Sequence, residues 1–160
     1  MRLSIYTDGG CSGNPGPGGW AYVIAGESGG EAAPPILAEQ WGAEANTTNN
    51  RMELGAVIAA LQSLPLPGAQ VPEGITVYTD SQYVQKGITQ WIHSWKRNNW
   101  RTSGKEPVKN RDLWQRLDEL SGKFPVTWAW VKGHAGNPLN ERCDRMTRQA
   151  IASLNGAGKI

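Results

Sequence analysis

Two stretches of this chain end in the same tripeptide, since residues 3–8 read LSIYTD and residues 75–80 read ITVYTD. In each stretch apolar and polar residues alternate, which predicts a short β-strand that stops at an aspartate, Asp8 in the first and Asp80 in the second. If the two strands are neighbours in one parallel sheet, their ends bring both carboxylates to the same edge. Two anions that close repel strongly unless a proton or a cation lies between them. The repeat therefore predicts a divalent metal site.

The pattern of the remaining residues predicts one α/β domain with a mixed sheet. Further strands are expected at 20–24, 36–41 and 126–131, and helices are expected to begin at 49, 81, 110 or 111, and 141. The Gly- and Pro-rich segment 9–19 predicts a turn, 26–35 predicts a hairpin loop, and a break is expected near Gly87. We expect a single domain over residues 1–154 and a disordered tail over 155–160.

The composition excludes several classes of protein. The chain has 160 residues, of which 39% are apolar, enough for one domain with a core and too few for two. No apolar run approaches the roughly 20 residues that span a bilayer, and no signal peptide is visible, so we expect no membrane contact. Cys11 and Cys143 lack the paired spacing of a zinc site, and we expect reduced thiols in a cytoplasmic protein.

The net charge of +2 conceals an uneven distribution. Residues 86–111 contain seven Lys or Arg and one Glu, a segment charge of +6, which leaves −4 for the rest of the chain. This distribution favours one face that binds a polyanion, although a solvated helical surface is the alternative. Aromatic and basic residues alternate within the segment, an arrangement that suits bases beside phosphates. The residues are Trp91, Trp95, Lys96, Arg97, Trp100 and Arg101. Trp91 and Trp95 are also i,i+4 partners that can pack on the domain.

Two further acids and one histidine are candidates for the same site. Glu53 borders the apolar stripe of the helix that begins at Asn49, and helix-dipole stabilisation is its alternative role. Asp144 lies one turn into the last helix, where an i,i+4 pair with Arg148 would also explain it. His134 lies in the Gly-rich loop 132–138, where a histidine can titrate near neutrality. Asp80 itself could instead cap the helix that follows it.

Two polar loops have features of a phosphate site. The Gly-rich loop 13–19 leads into a strand and contains two prolines, so it is not a dinucleotide-binding fingerprint. The run TTNN at 47–50 ends where a helix begins, and its free amides favour either an anion or simple N-capping.

Six stretches, in this order along the chain, resemble ribonuclease H of type 1, of the compact bacterial kind. They are TDGGCSGNPGPGGW (7–20), TTNNRMEL (47–54), YTDSQYVQKGITQWIHSWK (78–96), EPVKN (106–110), DLWQRLD (112–118) and WVKGHAGNPLNERCD (130–144). The resemblance implies a ribonuclease H-like fold with a five-stranded mixed sheet flanked by helices. It also implies a metal-dependent endoribonuclease that hydrolyses the RNA strand of RNA–DNA hybrids.

The resemblance implies roles for individual residues. The metal-binding acids are Asp8, Glu53, Asp80 and Asp144, and His134 assists proton transfer or product release. The contacts to the RNA strand are Cys11, Asn14, Asn49 and Asn50. A pocket for a DNA phosphate is formed by Thr48 and Asn110. Further contacts to the DNA strand are Tyr83, Trp91 and Trp95, and the basic protrusion contributes Lys96, Arg97 and Arg101.

The hypothesis that follows is an in-line displacement with two Mg²⁺ ions, for which Mn²⁺ can substitute, leaving 5′-phosphate and 3′-hydroxyl ends. We expect a monomer. Two departures from the family pattern bear on the metal-binding hypothesis. Gly10 stands where Ser is frequent, and Arg145 follows Asp144 where an acid is common. Arg145 could pair with Glu141 or alter metal affinity.

Two other classes of protein stay open. A nuclease of the integrase or junction-resolvase kind would cut DNA without needing a ribose, and a non-catalytic module would bind hybrids without metal. The presence of all four acids and the loop histidine argues against the module.

Overall fold

The computed structural model describes residues 1–26, 34–131 and 137–156, without the side chains of 155 and 156. This part of the chain forms five strands. They are β1 (Arg2–Cys11), β2 (Gly16–Ala25), β3 (Ile36–Thr47), β4 (Gly74–Thr79) and β5 (Val126–Trp130). The helices are α1 (Asn49–Gln62), α2 (Gln82–Lys86), a π-helical turn (Gly87–Trp91), α3 (Ile92–Arg97), α4 (Arg111–Ser121) and α5 (Pro138–Gly156).

The strands form one mixed sheet in the order β3-β2-β1-β4-β5. The first three strands pair antiparallel, as a chain of hairpins does, while β1, β4 and β5 are parallel and are joined through helices. The five-stranded mixed sheet flanked by helices is therefore confirmed. No described helix combines the length and the apolar character that crossing a membrane requires.

The two faces of the sheet are covered by different helices. Ile5 and Val77 are fully buried on one face, in a core that includes Leu54 and Leu61 of α1 and Trp114 of α4. Tyr6, the next residue along β1, packs on the opposite face in a cluster with residues of α5. Because successive side chains of a strand alternate between faces, β1 lies at the centre of a three-layer domain.

The long turn expected at 9–19 is wrong, because β1 extends to Cys11 and β2 begins at Gly16. Gly9 is opposite Trp20, Gly10 is opposite Gly19, and Cys11 is opposite Gly18 in the antiparallel ladder. These glycines belong to strands, and the turn is confined to 12–15. The expectation that the first strand stops at Asp8 is also wrong, because β1 continues for three more residues to Cys11.

Helical structure continues where a break was expected near Gly87. The π-helical turn joins α2 directly to α3. A Cβ added at Gly87 would lie 2.0 Å from a ring carbon of Trp114, so glycine is needed here for packing. Because glycine has no side chain, the backbone at Gly87 can lie against Trp114 of α4.

Three other boundaries differ from expectation. β3 continues to Thr47, and α5 begins at Pro138 and ends at Gly156. Most of the hairpin loop expected at 26–35, and residues 157–160 of the expected tail, lie outside the described residues. The boundary at 154 stays a prediction.

Candidate active site

Asp8 and Asp80 lie just beyond the end of the parallel pairing between β1 and β4. The last paired residues are Tyr6 and Tyr78, so each aspartate follows its strand's last rung by two residues. From there β1 continues beside β2, where Asp8 is opposite Ala21, and β4 leaves the sheet for α2. Asp8 and Asp80 therefore lie where β1 and β4 separate, which brings the two acids to the same edge of the parallel pair.

Helix α1 brings a third acid to the same place. One carboxylate oxygen from each of Asp8, Glu53 and Asp80 can be chosen so that all three atoms lie within 4.8 Å of one another. Gly9 permits this approach, because a Cβ there would lie 2.4 Å from the backbone carbonyl carbon of Met52. The backbone N–H of Gly9 also donates to Oε1 of Glu53 over 3.1 Å.

The environment of Glu53 disfavours its charged form. Burial raises the pKa of the Glu53 carboxyl well above its usual range, and the charges of Asp8 and Asp80 raise it further, against a smaller opposing effect of the hydrogen bond from Gly9. The second oxygen, Oε2, is buried and finds no hydrogen-bond partner among the described residues. A buried carboxylate oxygen without a partner is costly unless a proton or a cation completes it.

This donor set fits a hard divalent cation. Three carboxylates offer only oxygen ligands, which Mg²⁺ prefers, and the unpartnered Oε2 supplies a free lone pair within the group. We therefore regard Asp8, Glu53 and Asp80, which we call the acidic trio, as the residues that would hold metal.

Asp144 does not join the acidic trio among the described residues. Its side chain on α5 is 22% exposed, and its Oδ2 lies 3.0 Å from Nη2 of Arg148, as the i,i+4 spacing had suggested. Its role as a fourth metal ligand stays a prediction. His134 lies outside the described residues, so its proposed role stays a prediction as well.

Asp80 does not cap the helix that follows it. The cap of α2 is Ser81, whose Oγ accepts from the N–H of Val84 over 3.1 Å. The carboxylate of Asp80 is therefore not needed for capping, which removes the alternative role considered from sequence.

The residues expected to contact RNA lie at the end of β1, in the turn before β2 and at the start of α1, and hydrogen bonds connect these segments. The Sγ of Cys11 donates to the carbonyls of Gly16, over 3.2 Å, and of Thr47, over 3.3 Å. The Oδ1 of Asn14 accepts from the N–H of Asn49 over 3.1 Å, which ties the β1–β2 turn to the start of α1. Asn50 follows in the first turn of that helix. Contact with RNA itself stays a prediction.

Thr48 and Asn110, the expected phosphate pocket, are linked by a residue that the sequence analysis did not select. Thr48 caps α1, its Oγ1 accepting from the N–H of Arg51 over 3.3 Å. The Nη1 of Arg51 donates to Oδ1 of Asn110 over 3.3 Å, and its Nη2 donates to Asp112 over 2.9 Å. Arg51 thus connects Thr48 to Asn110 through its backbone N–H and its guanidinium. Its position three residues after Thr48 was a signal that could have identified it.

Tyr83 belongs to a chain of aromatic rings along the basic segment. Its hydroxyl accepts from Nδ2 of Asn110, over 3.1 Å, and from Nε1 of Trp114, over 2.9 Å. Ring centroids are 6.0 Å apart both for Tyr83 with Trp91 and for Trp91 with Trp95. Trp95 packs edge-on against Trp114 at 5.3 Å, whereas Trp91 is 38% exposed. Trp95 therefore packs on the domain, as its i,i+4 spacing with Trp91 allowed, and Trp91 keeps an exposed surface. Contact of either ring with DNA stays a prediction.

The basic residues of the protrusion are on the surface. Lys96 pairs with Asp118 over 3.3 Å, while Arg97, Arg101 and Lys105 line a cavity of about 350 Å³.

The two cysteines, Cys11 and Cys143, are both free thiols, as expected. Burial raises the pKa of the Cys143 thiol.

Comparisons with known proteins agree with this architecture. The model of the family described as RNase H matches residues 1–152. A ribonuclease H from Treponema denticola is 52% identical over 96% of this chain and 99% of its own length. One from Cupriavidus metallidurans is 52% identical over 97% of this chain and 99% of its own length.

Solved structures show the same similarity. LC9-RNase H1, described as a type 1 RNase H with the type 2 active-site motif, has a TM-score of 0.80 and 33% identity over 95% of this chain and 72% of its own. LC11-RNase H1, solved in complex with an RNA/DNA hybrid, has a TM-score of 0.73 and 26% identity over 95% of this chain and 98% of its own.

Proposed function

Because this chain belongs to the RNase H family, we propose that it hydrolyses the RNA strand of RNA–DNA hybrids by a two-metal, in-line mechanism. The products would carry 5′-phosphate and 3′-hydroxyl ends. The observation that carries this proposal is the acidic trio, three carboxylate oxygens from separate elements within 4.8 Å of one another. We assign the activity to residues 1–154, acting as a monomer in the cytoplasm, a reducing compartment that suits two free thiols.

The acidic trio would hold Mg²⁺, with Asp144 as the proposed fourth ligand and Mn²⁺ as a substitute. When bound, the two cations supply activation of the attacking water and stabilisation of the leaving 3′-oxygen. Glu53 would contribute a carboxylate whose pKa burial holds well above its usual range, and a bound cation would favour its charged form. Gly9 fixes the distance between α1 and β1 at which the trio forms.

Recognition of the hybrid is proposed to divide between two neighbouring surfaces. Cys11, Asn14, Asn49 and Asn50 lie where β2 and α1 begin, and would contact the RNA backbone and its 2′-hydroxyls, which distinguish RNA from DNA. The link from Asn14 to Asn49 supports this assignment, because it orders the two segments before substrate arrives. Backbone contacts carry little sequence information, so weak base preference is expected.

The DNA strand is proposed to lie along Thr48, Asn110, Tyr83 and the tryptophans. Arg51 supports this assignment because its backbone N–H binds Thr48 and its guanidinium binds Asn110, which ties together the two polar residues of the expected phosphate pocket. The exposed face of Trp91 would stack on a base or a sugar. Beyond it, Trp95 holds the segment on the domain, while Lys96, Arg97 and Arg101 would add electrostatic attraction to phosphates.

The test is cleavage of a labelled RNA–DNA hybrid in Mg²⁺, compared with duplex DNA, duplex RNA and a chelator control. We expect cleavage of the hybrid's RNA strand alone, and none in chelator. Products are separated beside markers with defined ends, and 3′-phosphate ends would contradict departure of the 3′-oxygen as the leaving group. Cutting of duplex DNA would indicate the integrase or resolvase class instead. For His134→Ala we expect a large fall in turnover with little change in hybrid affinity.

A further inference from the structure

The indole of Trp130 contacts the backbone that carries Asp80. Trp130 is the last residue of β5 and remains 39% exposed. Its Nε1 donates to the backbone carbonyl of Asp80 over 3.3 Å, although the two residues are 50 positions apart. An exposed tryptophan is unremarkable by itself. The informative feature is where its N–H is directed, because the acceptor belongs to a residue of the acidic trio.

This hydrogen bond extends the parallel ladder past its last backbone rung. The register of β4 and β5 ends at Thr79 opposite Trp130, and the N–H of Val131 donates to the carbonyl of Thr79 over 2.8 Å. The next carbonyl along the chain is that of Asp80, at the point where β4 leaves the sheet. The indole N–H supplies a side-chain donor to that carbonyl.

The residues on either side of Asp80 are also fixed. Thr79 is fully buried, and its Oγ1 accepts from the N–H of Ser81 over 3.0 Å. Ser81 in turn caps α2. With both neighbours restrained, a hydrogen bond to the carbonyl of Asp80 defines the orientation of the peptide that follows it. Fixing that peptide restrains the backbone from which the Asp80 side chain extends.

We propose that Trp130 is a positioning residue that holds Asp80 within reach of Asp8 and Glu53. The inference rests on the proposed metal-dependent function. The carboxylates of Asp8 and Asp80 lie in one group, where their negative charges repel each other, so the backbone must resist their separation. A restraint on the Asp80 peptide therefore reduces the reorganisation that cation binding requires.

The test is calorimetric titration of the protein with Mg²⁺ in the absence of nucleic acid. Trp130→Phe keeps an aromatic ring and removes the N–H donor. We expect the Mg²⁺ dissociation constant to rise about threefold to tenfold, the effect of one net hydrogen bond. In hybrid cleavage kcat should fall by a similar factor, with KM unchanged. Trp41→Phe, on the opposite edge strand β3 and 43% exposed, is the matched control and should leave both quantities unchanged.

A double-mutant cycle identifies the residue through which Trp130 acts. In an Asp80→Asn background, Trp130→Phe should cause no further loss of Mg²⁺ affinity, because the carboxylate that it positions is already gone. Urea denaturation establishes that each variant is folded at the titration temperature.

Two results would overturn the inference. Equal Mg²⁺ affinity of wild type and Trp130→Phe would remove Trp130 from the positioning of Asp80. A raised KM with unchanged Mg²⁺ affinity would make the indole a nucleic-acid contact instead. If the wild-type protein bound no Mg²⁺ at all, the proposed function itself would fail, which is a different outcome from either.

Discussion

Gly9 and Glu53 are 44 residues apart in the chain, yet the backbone N–H of Gly9 donates to Oε1 of Glu53 over 3.1 Å. This contact joins the strand that carries Asp8 to the helix that carries Glu53. It exists because Gly9 has no side chain where the backbone of Met52 passes. The geometry of the acidic trio therefore depends on a residue that has no side chain.

Replacing Gly9 tests that dependence. Gly9→Ala places a methyl group against backbone atoms of α1, so the helix must shift, and we expect a loss of about 3 kcal/mol of unfolding free energy. Mg²⁺ affinity should fall with it. Gly10→Ala is the control, because the nearest atom to its Cβ would be a side-chain carbon of Thr147 at 3.7 Å, and it should change stability by less than about 1 kcal/mol. Urea denaturation and calorimetry measure both effects, and equal behaviour of the two variants would contradict the account.

The raised pKa of Glu53 makes the metal-free protein sensitive to pH. Burial favours the protonated carboxyl in the folded state, so its stabilising contribution is complete below the unfolded pKa. That contribution is lost as pH rises through the folded pKa. In chelator, Glu53→Gln should therefore be more stable than wild type at neutral pH and should lose this pH dependence. In Mg²⁺ the wild type should be the more stable of the two proteins, because Gln is a poorer ligand than a carboxylate for the cation.

The measurement is thermal denaturation across pH in chelator and in Mg²⁺. The exposed Glu141→Gln on α5 is the control and should follow wild type throughout. A Glu53→Gln variant less stable than wild type in chelator at neutral pH would contradict the assigned cause.

The ion pair of Arg51 with Asp112 is expected to support substrate binding more than stability. The hydrogen bond and charge of Arg51 lower the pKa of Asp112, so the pair stabilises the fold above the unfolded pKa and the effect is lost as pH falls through the folded pKa. Because Asp112 is 65% exposed, Asp112→Asn should cost only about 0.2–1 kcal/mol at neutral pH. KM for the hybrid should rise, because Arg51 loses the partner that orients it. Glu119→Gln, which breaks a neighbouring pair with Arg116 on α4, should leave KM unchanged.

Trp91 and Trp95 should respond differently to truncation. Trp91→Ala removes an exposed ring and should weaken hybrid binding by about 1–3 kcal/mol with little change in stability. Trp95→Ala removes a ring packed against Trp114 and Trp100, and should cost more than about 2 kcal/mol of unfolding free energy. Hybrid binding in chelator and urea denaturation separate the two effects. Equal losses of stability in both variants would contradict the division between contact and packing.

Local patterns were sufficient to predict much of the fold. Alternation identified the strands that end near Asp8 and Asp80, and the position of Glu53 beside an apolar stripe correctly directed it toward the sheet. The predicted turn at Gly9 was wrong, because a glycine needed for close approach of two backbones looks the same in sequence as one needed for a turn. The break predicted near Gly87 was wrong for the same reason.

Contacts between distant segments could not be predicted from one sequence. Arg51 and Asp112 are 61 residues apart, and Trp130 and Asp80 are 50 apart. Both pairs depend on the tertiary arrangement of distant elements, and no local pattern of charge or hydrophobicity marks them. The resemblance of motifs indicated which residues carry chemistry, whereas the structure supplies the residues that hold them.

The most direct test of the central claim is hybrid cleavage in Mg²⁺ by wild type and by Asp8→Asn under single-turnover conditions. Asn keeps the size of the side chain and removes one charge from the acidic trio. We expect the cleavage rate to fall about a hundredfold or more, with hybrid binding in chelator unchanged. Cleavage by Asp8→Asn at the wild-type rate would contradict the claim that these carboxylates hold the catalytic cations.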